Sequence, residues 1–428
     1  MLRNYIKTAF KVLLRRRFFT AVSLFGISFT LVVLMVVAAG LDHVFGPYPP
    51  EVHTDRTLTV TRVRHREVIV NTPGQSGSNT MEAPASYSFL DRFVRSLPDV
   101  EAVSVFTQSE EPMISFQSGS KEEIYLKCTD GAFWRILDFE FLEGGPFTEA
   151  DDEQASKVAV INESTRERIF GGRAAVGRTI ELEGHRFRVV GVVANVPIFR
   201  LLPFADVWVP IHASPSRGYL NDRGLVGGYQ AMILAHETRD LPRIQADFQA
   251  SLAQVEFPRP ERDNTLLVAA ESIFESLSRQ IFEVGSWEQQ DSRPGLLLAW
   301  IVGFMVLFMI LPTLNLINLN LSRILERSSE IGVRKAFGAS RATVVGQFVT
   351  ENILLTLVGG LLGLVLSVIV LYQLSASGLI PHAEFRMNYR IFLYGLGTTL
   401  FFGVFSAVYP AWRMSRLHPV QALRGGER

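Results

Sequence analysis

One short glycine-containing stretch has the residue spacing of a nucleotide-binding loop. Residues 172–179, GRAAVGRT, match a phosphate-binding P-loop except that Arg178 stands where the lysine belongs. A true P-loop follows a strand and opens a helix, so that backbone N–H groups meet the phosphates. Here a predicted helix precedes the stretch and a predicted strand follows it. The sequence therefore predicts no nucleotide site here, and since no other P-loop spacing occurs, we expect a separate chain to supply energy.

Side chains suited to other chemistry are present but not grouped. The eight histidines are scattered, with no HExxH motif and no GxSxG motif in the chain. Asp151 and Asp152 lie in a polar stretch and are interpreted as solvated surface. The single cysteine, Cys128, excludes an internal disulfide framework and a cysteine-based zinc site. The sequence predicts that the chain is not an enzyme by itself and binds no metal or cofactor.

One charged segment lies between two long uncharged runs. In residues 326–339, ERSSEIGVRKAFGA, Glu330 precedes Arg334 by four positions, the favourable order for a helical ion pair. Gly338 suits the end of that helix, and Ser340 suits the N-cap of the next one. The spacing predicts a short, stiff helix on which another protein can dock. An ordinary solvated loop is the alternative interpretation.

Four stretches are long and apolar enough to cross a bilayer, which takes about 20 helical residues. They are residues 18–41, 295–322, 348–374 and 391–412, and ionisable residues are missing from them apart from Glu351, at the inner boundary of the third. The first run exceeds the 7 to 15 apolar residues of a signal peptide, which favours a retained span. The scarcity of charge also argues against a proton- or sodium-driven carrier.

Basic residues predict the orientation of these spans. Arginine and lysine dominate residues 1–17, 323–347 and 413–428, so the positive-inside rule places all three in the cytoplasm. Residues 1–17 also have the pattern of a basic amphipathic helix on the membrane face, with an orientation signal alone as the alternative. Residues 42–294 and the short loop 375–390 are then extracytoplasmic. The large segment is correspondingly acidic, so we expect no nucleic-acid partner.

The extracytoplasmic segment has mixed patterns that predict an α+β domain. Asn162 suits the cap of a helix that follows a strand, and Glu183-Gly184 suits a hairpin turn. The glycine-, serine- and asparagine-rich stretch Asn71–Thr80 is predicted to be a loop. Other predicted elements are strands at 56–63, 102–106, 113–116, 124–127, 207–211, 230–234 and 266–270, and helices at 86–97 and 241–252. Residues 273–288 are interpreted as an external extension of the second span.

Glycines in the third apolar stretch form a small-residue face. Gly359 and Gly363 have GxxxG spacing, and Gly360 widens that face. Such a pattern permits close helix contact. The sequence leaves open whether the contact is a dimer seam or packing inside one chain.

Three long runs resemble one protein family. The segment 326–339 with its continuation 347–364, QFVTENILLTLVGGLLGL, is similar to the C-terminal domain of MacB-like and FtsX-like ABC transporter permeases. Residues 130–197, from DGAFWRILDFEFLEGGPFT to the end of GVVANVP, look like the extracytoplasmic core domain of MacB-type permeases. The ending YPAWRMSRLHPVQALRGGER is similar to the family's closing signature. The order of segments also matches the family, and the lack of a fused ATPase resembles its separate-permease members.

The resemblance implies a fold, partners and contact residues. It implies four transmembrane helices with a large α+β domain between the first two, in the bacterial inner membrane. Partners would be two copies of a cytoplasmic ATPase, which hold the ATP and Mg²⁺, and a second permease, identical or homologous; a periplasmic adaptor or outer-membrane partner also fits the family. The coupling helix would supply the ATPase contacts Glu326, Glu330, Ile331, Gly332, Val333, Arg334, Lys335, Ala336 and Gly338.

The role implied by the family is mechanotransmission, in which ATP hydrolysis moves the outer domain to export or extract a substrate. An FtsX-like scaffold that activates a cell-wall hydrolase is a second hypothesis. A membrane-anchored sensor without an ATPase is a third. The sequence names no substrate, and it does not choose between a homodimer and a heterodimer.

Overall fold

The structure is a computed structural model that forms two compact units. One unit comprises Met1–His43, Gly295–Leu379 and Glu384–Arg428, and the other comprises Val44–Pro294 with Ile380–Ala383. The described residues are 15, 17–72, 75–108, 113–117, 120–216, 218–221, 224–257, 264–282, 292–308, 310, 333, 337, 340–378, 385 and 387–415.

The unit that begins at Val44 contains all of the described strands. They are β1 Thr57–Val60, β2 Val63–Thr72, β3 Gln75–Ala83, β4 Ala102–Thr107, β5 Met113–Gln117, β6 Ser120–Ile124, β7 Leu126–Thr129, β8 Phe141–Gly144, β9 Val158–Asn162, β10 Thr179–Leu182, β11 His185–Val193, β12 Val207–Pro210, β13 Tyr229–Leu234 and β14 Asn264–Val268.

The helices of the two units follow in chain order. They are α1 Arg17–Phe45, α2 Tyr87–Phe93, α3 Phe133–Ile136, α4 Glu149–Glu153, α5 Glu163–Phe170, α6 Gly218–Asn221, α7 Leu241–Leu252, α8 Ile273–Phe282, α9 Pro294–Phe308, α10 Arg341–Ala376 and α11 Tyr389–Ser415.

A nine-stranded mixed sheet organises the unit. Its order is β1-β13-β4-β7-β12-β9-β11-β10, and β8 also pairs with β11. The β9–β11 and β7–β12 pairs are parallel, and the remaining pairs in this sheet are antiparallel. A three-stranded sheet, β14-β2-β3, and the β5-β6 hairpin complete the described pairing. The α+β class predicted from the sequence is confirmed for this unit.

Central strands of the large sheet, such as β9 and β12, are buried on both faces, which explains their largely apolar sequences. In β12, Val207 and Val209 lie in one hydrophobic cluster, whereas Trp208 lies in the other. Helices α2 and α7 supply Leu90 and Phe248 to the first cluster. Helix α3 supplies Phe133 to the second. Successive side chains of a strand point to opposite faces of the sheet, so this one strand contributes to both hydrophobic clusters.

Local signals predicted several elements correctly. Asn162 caps α5 by accepting a hydrogen bond from the Thr165 backbone N–H at 2.8 Å, and the helix ends at Gly171 in the left-handed region. The predicted hairpin forms between β10 and β11. Its turn residues Glu183 and Gly184 have φ values of 46° and 76°, as a two-residue turn of this hand requires.

Some local predictions were wrong. Asp151 and Asp152 were interpreted as solvated surface, but Asp152 is only 2% exposed and accepts a hydrogen bond from the His212 backbone N–H at 3.0 Å. The predicted loop Asn71–Thr80 is mostly β-sheet, because β3 begins at Gln75 and pairs with β2 along its length. Strand pairing overrides the low β propensity of glycine, serine and asparagine there. The strand predicted at 124–127 is two strands, β6 and β7, which separate at Tyr125. Helix α2 is shorter than predicted and ends at Phe93.

The other unit is helical in its described part and has an apolar exterior. Helices α1 and α10 each contain a stretch long and apolar enough to cross a membrane, while α9 and the Tyr389–Phe405 part of α11 are shorter apolar helices. Leu361, Val365 and Tyr372 are exposed along one face of α10. Exposed apolar side chains at helical spacing suit lipid rather than water.

Candidate functional site

The predicted ATPase-contact segment lies almost entirely outside the described residues. Of its predicted contacts, only Val333 is described, and the Phe337 backbone N–H donates to the Val333 carbonyl at 3.1 Å. The two residues are four positions apart. The other predicted contacts, Glu326, Glu330, Ile331, Gly332, Arg334, Lys335, Ala336 and Gly338, lie outside the described part.

Helix α10 begins immediately after this segment. The Ser340 hydroxyl accepts from the Thr343 backbone N–H at 3.2 Å, which makes Ser340 the N-cap, as predicted. One turn further on, the Gln347 side-chain amide donates to the Glu351 carboxylate at 3.1 Å in a buried contact. A capped helix start followed by a buried polar pair fixes the first turns of α10.

The small-residue face of α10 packs against other helices of the same chain. A Cβ atom on Gly359 would lie 2.8 Å from Ile27 Cγ2, and one on Gly363 would lie 3.1 Å from Leu31 Cβ. A Cβ atom on Gly360 would lie 2.5 Å from Leu396 Cδ1 of α11. The structure therefore uses all three predicted packing glycines to bring α10 close to α1 and α11.

Replacing Gly359 with leucine should destabilise this helical unit. The added side chain enters space that Ile27 already fills, and overpacking of this kind typically costs about 1–3 kcal/mol. The expected result is a lower melting temperature of the purified chain in detergent. Gly397→Leu is the matched control, because no atom lies within 4 Å of a Cβ at Gly397. Equal melting temperatures for the two variants would contradict the packing described here.

In the other unit, the stretch that imitates a P-loop binds a carboxylate of its own chain. The Ala175 backbone N–H donates to Glu143 Oε2 at 3.0 Å. That hydrogen bond, with help from Arg166 and the Val176 N–H, holds the pKa of Glu143 below its ordinary value. Strand β10 follows the stretch and helix α5 precedes it. A phosphate bound here would need the backbone N–H groups of Ala175 and Val176. Both groups are already directed at the Glu143 carboxylate.

Three charged side chains are buried together near the start of this unit. Arg200 donates to the Glu51 carboxylate at 3.0 Å and to the carbonyls of Tyr48 at 2.9 Å and Gly46 at 3.1 Å. Lys127 donates from Nζ to the Leu202 carbonyl at 2.5 Å. Each is paired with charge or carbonyl oxygen, as buried charge requires. Sequence patterns did not single out these residues, because isolated charges in apolar runs have no distinctive spacing.

The buried amine of Lys127 should make the free energy of unfolding depend on pH. Burial lowers the pKa of its amine from 10.5 to about 7, with Glu51 acting in the opposite direction. The folded chain thus releases this proton near pH 7, whereas the unfolded chain keeps it to about pH 10. Because the unfolded state binds more protons in that window, the unfolding free energy should rise with pH, by at most about 1.4 kcal/mol per unit.

The variant Lys127→Met isolates this contribution. Urea titrations at pH 7, 8 and 9, followed by tryptophan fluorescence, measure the unfolding free energy of both chains. As the pH rises, the unfolding free energy of wild type should increase relative to that of the variant. Lys157→Met serves as control, because Lys157 is an exposed residue whose amine also donates to a carbonyl, that of Ala213, at 2.9 Å. Parallel pH profiles for wild type and Lys127→Met would contradict the burial of a titrating amine.

A cavity of about 770 Å³ opens beside the Arg200 ion pair. Apolar side chains line one part of it, including Phe45, Ile273 and Leu277, and polar side chains such as Gln230 and Gln280 line another. Within the described residues, no group of three or more histidine, cysteine, aspartate or glutamate side chains is arranged to hold a metal.

Comparison with known proteins identifies the family. The family model described as the MacB-like periplasmic core domain matches residues 20–251, more than half of the chain. The family model described as the FtsX-like permease C-terminal domain matches residues 302–419. The chain belongs to the MacB-like ABC transporter permeases. This confirms the family resemblance of the extracytoplasmic and C-terminal runs.

Relatives of this MacB-like permease differ in length. It is 26% identical over 333 residues to the uncharacterized ABC transporter permease YvrN of Bacillus subtilis, covering 77% of each chain. It is also 26% identical over 280 residues to the macrolide export ATP-binding/permease protein MacB of Bdellovibrio bacteriovorus. That match covers 65% of this chain but only 40% of the relative.

A solved structure also aligns with the MacB-like permease. The alignment with the periplasmic region of MacB from Actinobacillus actinomycetemcomitans covers 53% of this chain and 94% of the MacB chain, with 15% sequence identity and a TM-score of 0.33.

Proposed function

We propose that this chain is the membrane subunit of an ABC transporter and passes ATP-driven motion of a cytoplasmic ATPase to its extracytoplasmic domain. The observation that carries the proposal is the succession of two family matches, a periplasmic core domain followed by a permease domain. Two such subunits bind two ATPase copies, and the substrate is moved on the outer side. ATP and Mg²⁺ belong to the ATPase.

In the proposed topology, four helices cross the bacterial inner membrane with both termini in the cytoplasm. Helices α1 and α10 supply two spans by length and hydropathy, and α9 and α11 supply the apolar starts of the other two. The basic residues of 1–17, 323–347 and 413–428 support this orientation. The coupling segment 326–339 then faces the ATPase, and residues 42–294 lie outside.

Helix α10 is suited to carry motion from the coupling segment. It has 36 residues, which makes it about 54 Å long, whereas the hydrocarbon core is about 30 Å thick. Its first turns therefore extend beyond the hydrocarbon on the side where segment 326–339 docks. Ser340 caps α10 directly after that segment. A displacement of the segment would therefore move α10 as a rigid body.

Contacts within the helical unit extend the path to α1. Gly359 and Gly363 let α10 approach Ile27 and Leu31 of α1, so the two helices move together. Helix α1 continues unbroken to Phe45. The next residues are held by the buried Arg200–Glu51 ion pair of the extracytoplasmic unit. In the proposed path, motion of α1 reaches that unit through this chain connection.

Affinity purification of the tagged chain in mild detergent tests the proposal. The expected result is co-purification of an ABC ATPase whose hydrolysis rate changes when the permease is present. Recovery of the chain without any ATPase, or ATP hydrolysis by the chain alone, would overturn the proposal. Recovery of a cell-wall hydrolase with the complex would assign the transmitted motion to enzyme activation instead of transport.

A further inference from the structure

Two adjoining cavities in the extracytoplasmic unit are both lined by helix α8. The larger is the cavity of about 770 Å³ described above, and the smaller has a volume of about 640 Å³. The two cavities adjoin at five residues that line both of them, namely Thr61, Arg62, Glu82, Ser276 and Gln280. Pockets for small molecules typically measure about 300–1,000 Å³, so there is room for a ligand of that size.

The larger cavity contains apolar side chains that the fold leaves uncovered. Phe199 and Leu201, which are 51% and 71% exposed, both line it. Helix α8 adds Ile273 and Leu277, and none of these four side chains lines the smaller cavity. Covering such side chains removes apolar area from water, and exposed apolar surface inside a cavity therefore favours a ligand with an apolar part.

The smaller cavity is lined by arginine side chains. Arg64 and Arg279 line it, and Arg62 lines both cavities. Arg62 and Arg64 both donate to the Glu82 carboxylate, at 2.8 and 2.9 Å, so this carboxylate balances only one of the two guanidinium charges. Arg279 forms its own ion pair with Glu271.

Arg62 is the charged side chain best placed to meet a ligand. It is 56% exposed, and its one hydrogen bond to the described part of the chain runs from Nη1 to Glu82. Its Nε and Nη2 hydrogens can therefore donate to a ligand where the cavities adjoin. Glu275, a further carboxylate of the smaller cavity, accepts from the backbone N–H and the hydroxyl of Ser272. A carboxylate or phosphate group matches a guanidinium in this position.

We propose that the two cavities together bind an amphiphile with one apolar chain and a carboxylate or phosphate headgroup. The headgroup accepts hydrogen bonds from Arg62, and the apolar chain lies along Phe199, Leu201 and Leu277. The apolar side chains hold the chain, and the guanidinium selects the negative headgroup. All residues of the site belong to the extracytoplasmic unit, so the site does not depend on the proposed transport function.

Photo-crosslinking of the full chain in lipid nanodiscs tests this site. The probe is dodecanoate with a diazirine near the end of its chain, and labelled peptides are identified by mass spectrometry. The expected result is saturable labelling of residues 198–204 and of α8 that unlabelled dodecanoate displaces. The matching dodecylamine probe should label them at least tenfold less, because its ammonium would face the Arg62 guanidinium. Labelling of the exposed α10 side chain Leu361 reports probe dissolved in the bilayer and serves as the loading reference.

Two variants separate the headgroup contact from the chain contact. Arg62→Gln should raise the dodecanoate concentration for half-maximal labelling by about tenfold, because a hydrogen bond from a charged group is lost. Leu277→Gln should also raise it, since it places an amide in the apolar wall. Arg186→Gln is the matched control, because it removes an arginine that is 81% exposed on β11 of the same unit.

Three outcomes would overturn the proposal. They are labelling confined to the helical unit, equal labelling by the acid and the amine, and an unchanged half-maximal concentration in Arg62→Gln. A chain that recruits no ATPase would still bind the probe, so this proposal and the proposed function fail separately.

Discussion

A chain carrying Glu330→Ala and Arg334→Ala together is expected to lose productive contact with its ATPase. In a helix, an ion pair at this spacing typically contributes about 0.2–0.5 kcal/mol, and in the proposed docking the two charges are also available to the partner surface. Truncating charged groups within a docked interface typically costs about 2–5 kcal/mol, so the affinity should fall by about 30-fold or more. The two residues lie outside the described part, so this expectation depends on the sequence pattern and the family.

Two measurements check this prediction on reconstituted complexes. The amount of ATPase retained by the tagged permease should fall, and the permease-dependent change in hydrolysis rate should disappear. The double variant Arg243→Ala, Asp247→Ala is the matched control, since it removes an ion pair with the same four-residue spacing from extracytoplasmic helix α7. Unchanged retention and coupling in the Glu330 and Arg334 variant would reject segment 326–339 as the docking site.

The substitution Gly144→Ala should be among the most destabilising single changes in the extracytoplasmic unit. Gly144 has a φ of +63°, and a Cβ atom there would lie 2.0 Å from the Val190 carbonyl oxygen. That oxygen belongs to the backbone of β11, with which β8 pairs, so it cannot move aside without breaking the sheet. Backbone strain and overpacking together should cost about 3 kcal/mol or more.

Urea unfolding of the purified chain, followed by tryptophan fluorescence, measures this loss. Gly145→Ala is the adjacent control, because no atom lies within 4 Å of a Cβ at Gly145. Gly191→Ala should reproduce the defect from the facing strand, where a Cβ would lie 2.3 Å from the Gly145 carbonyl oxygen. Equal stability of the Gly144 and Gly145 variants would show that β8 does not approach β11 as described.

Sequence patterns predicted those features that depend on a few neighbouring residues. The cap at Asn162, the turn at Glu183 and Gly184, and the helix of residues 241–252 are local, because their hydrogen bonds close within a few positions. The family order of segments was also recognisable. In contrast, β3 was mistaken for a loop, because its structure comes from pairing with β2 and not from its composition.

Long-range contacts explain what the sequence left open. Glu143 accepts a hydrogen bond from Ala175, which is 32 residues away in the sequence, and Arg200 donates one to Gly46, which is 154 residues away. No local spacing signals either contact. The GxxxG pattern showed that a close helix contact was possible but not its partner. Ile27, Leu31 and Leu396 of the same chain fill that role in the structure. The burial of Lys127 likewise involves a distant segment, since its amine donates to the Leu202 carbonyl, 75 positions away.

The topology is the central claim, and side-specific cysteine labelling of intact spheroplasts tests it most directly. One variant carries Lys335→Cys in the coupling segment, and another carries Arg186→Cys, at a side chain 81% exposed on β11. Buried Cys128 is replaced by alanine in both. With a membrane-impermeant maleimide, the account predicts immediate labelling at 186 and labelling at 335 only after the membrane is opened. Labelling of both positions from the same side of the intact membrane would contradict the account.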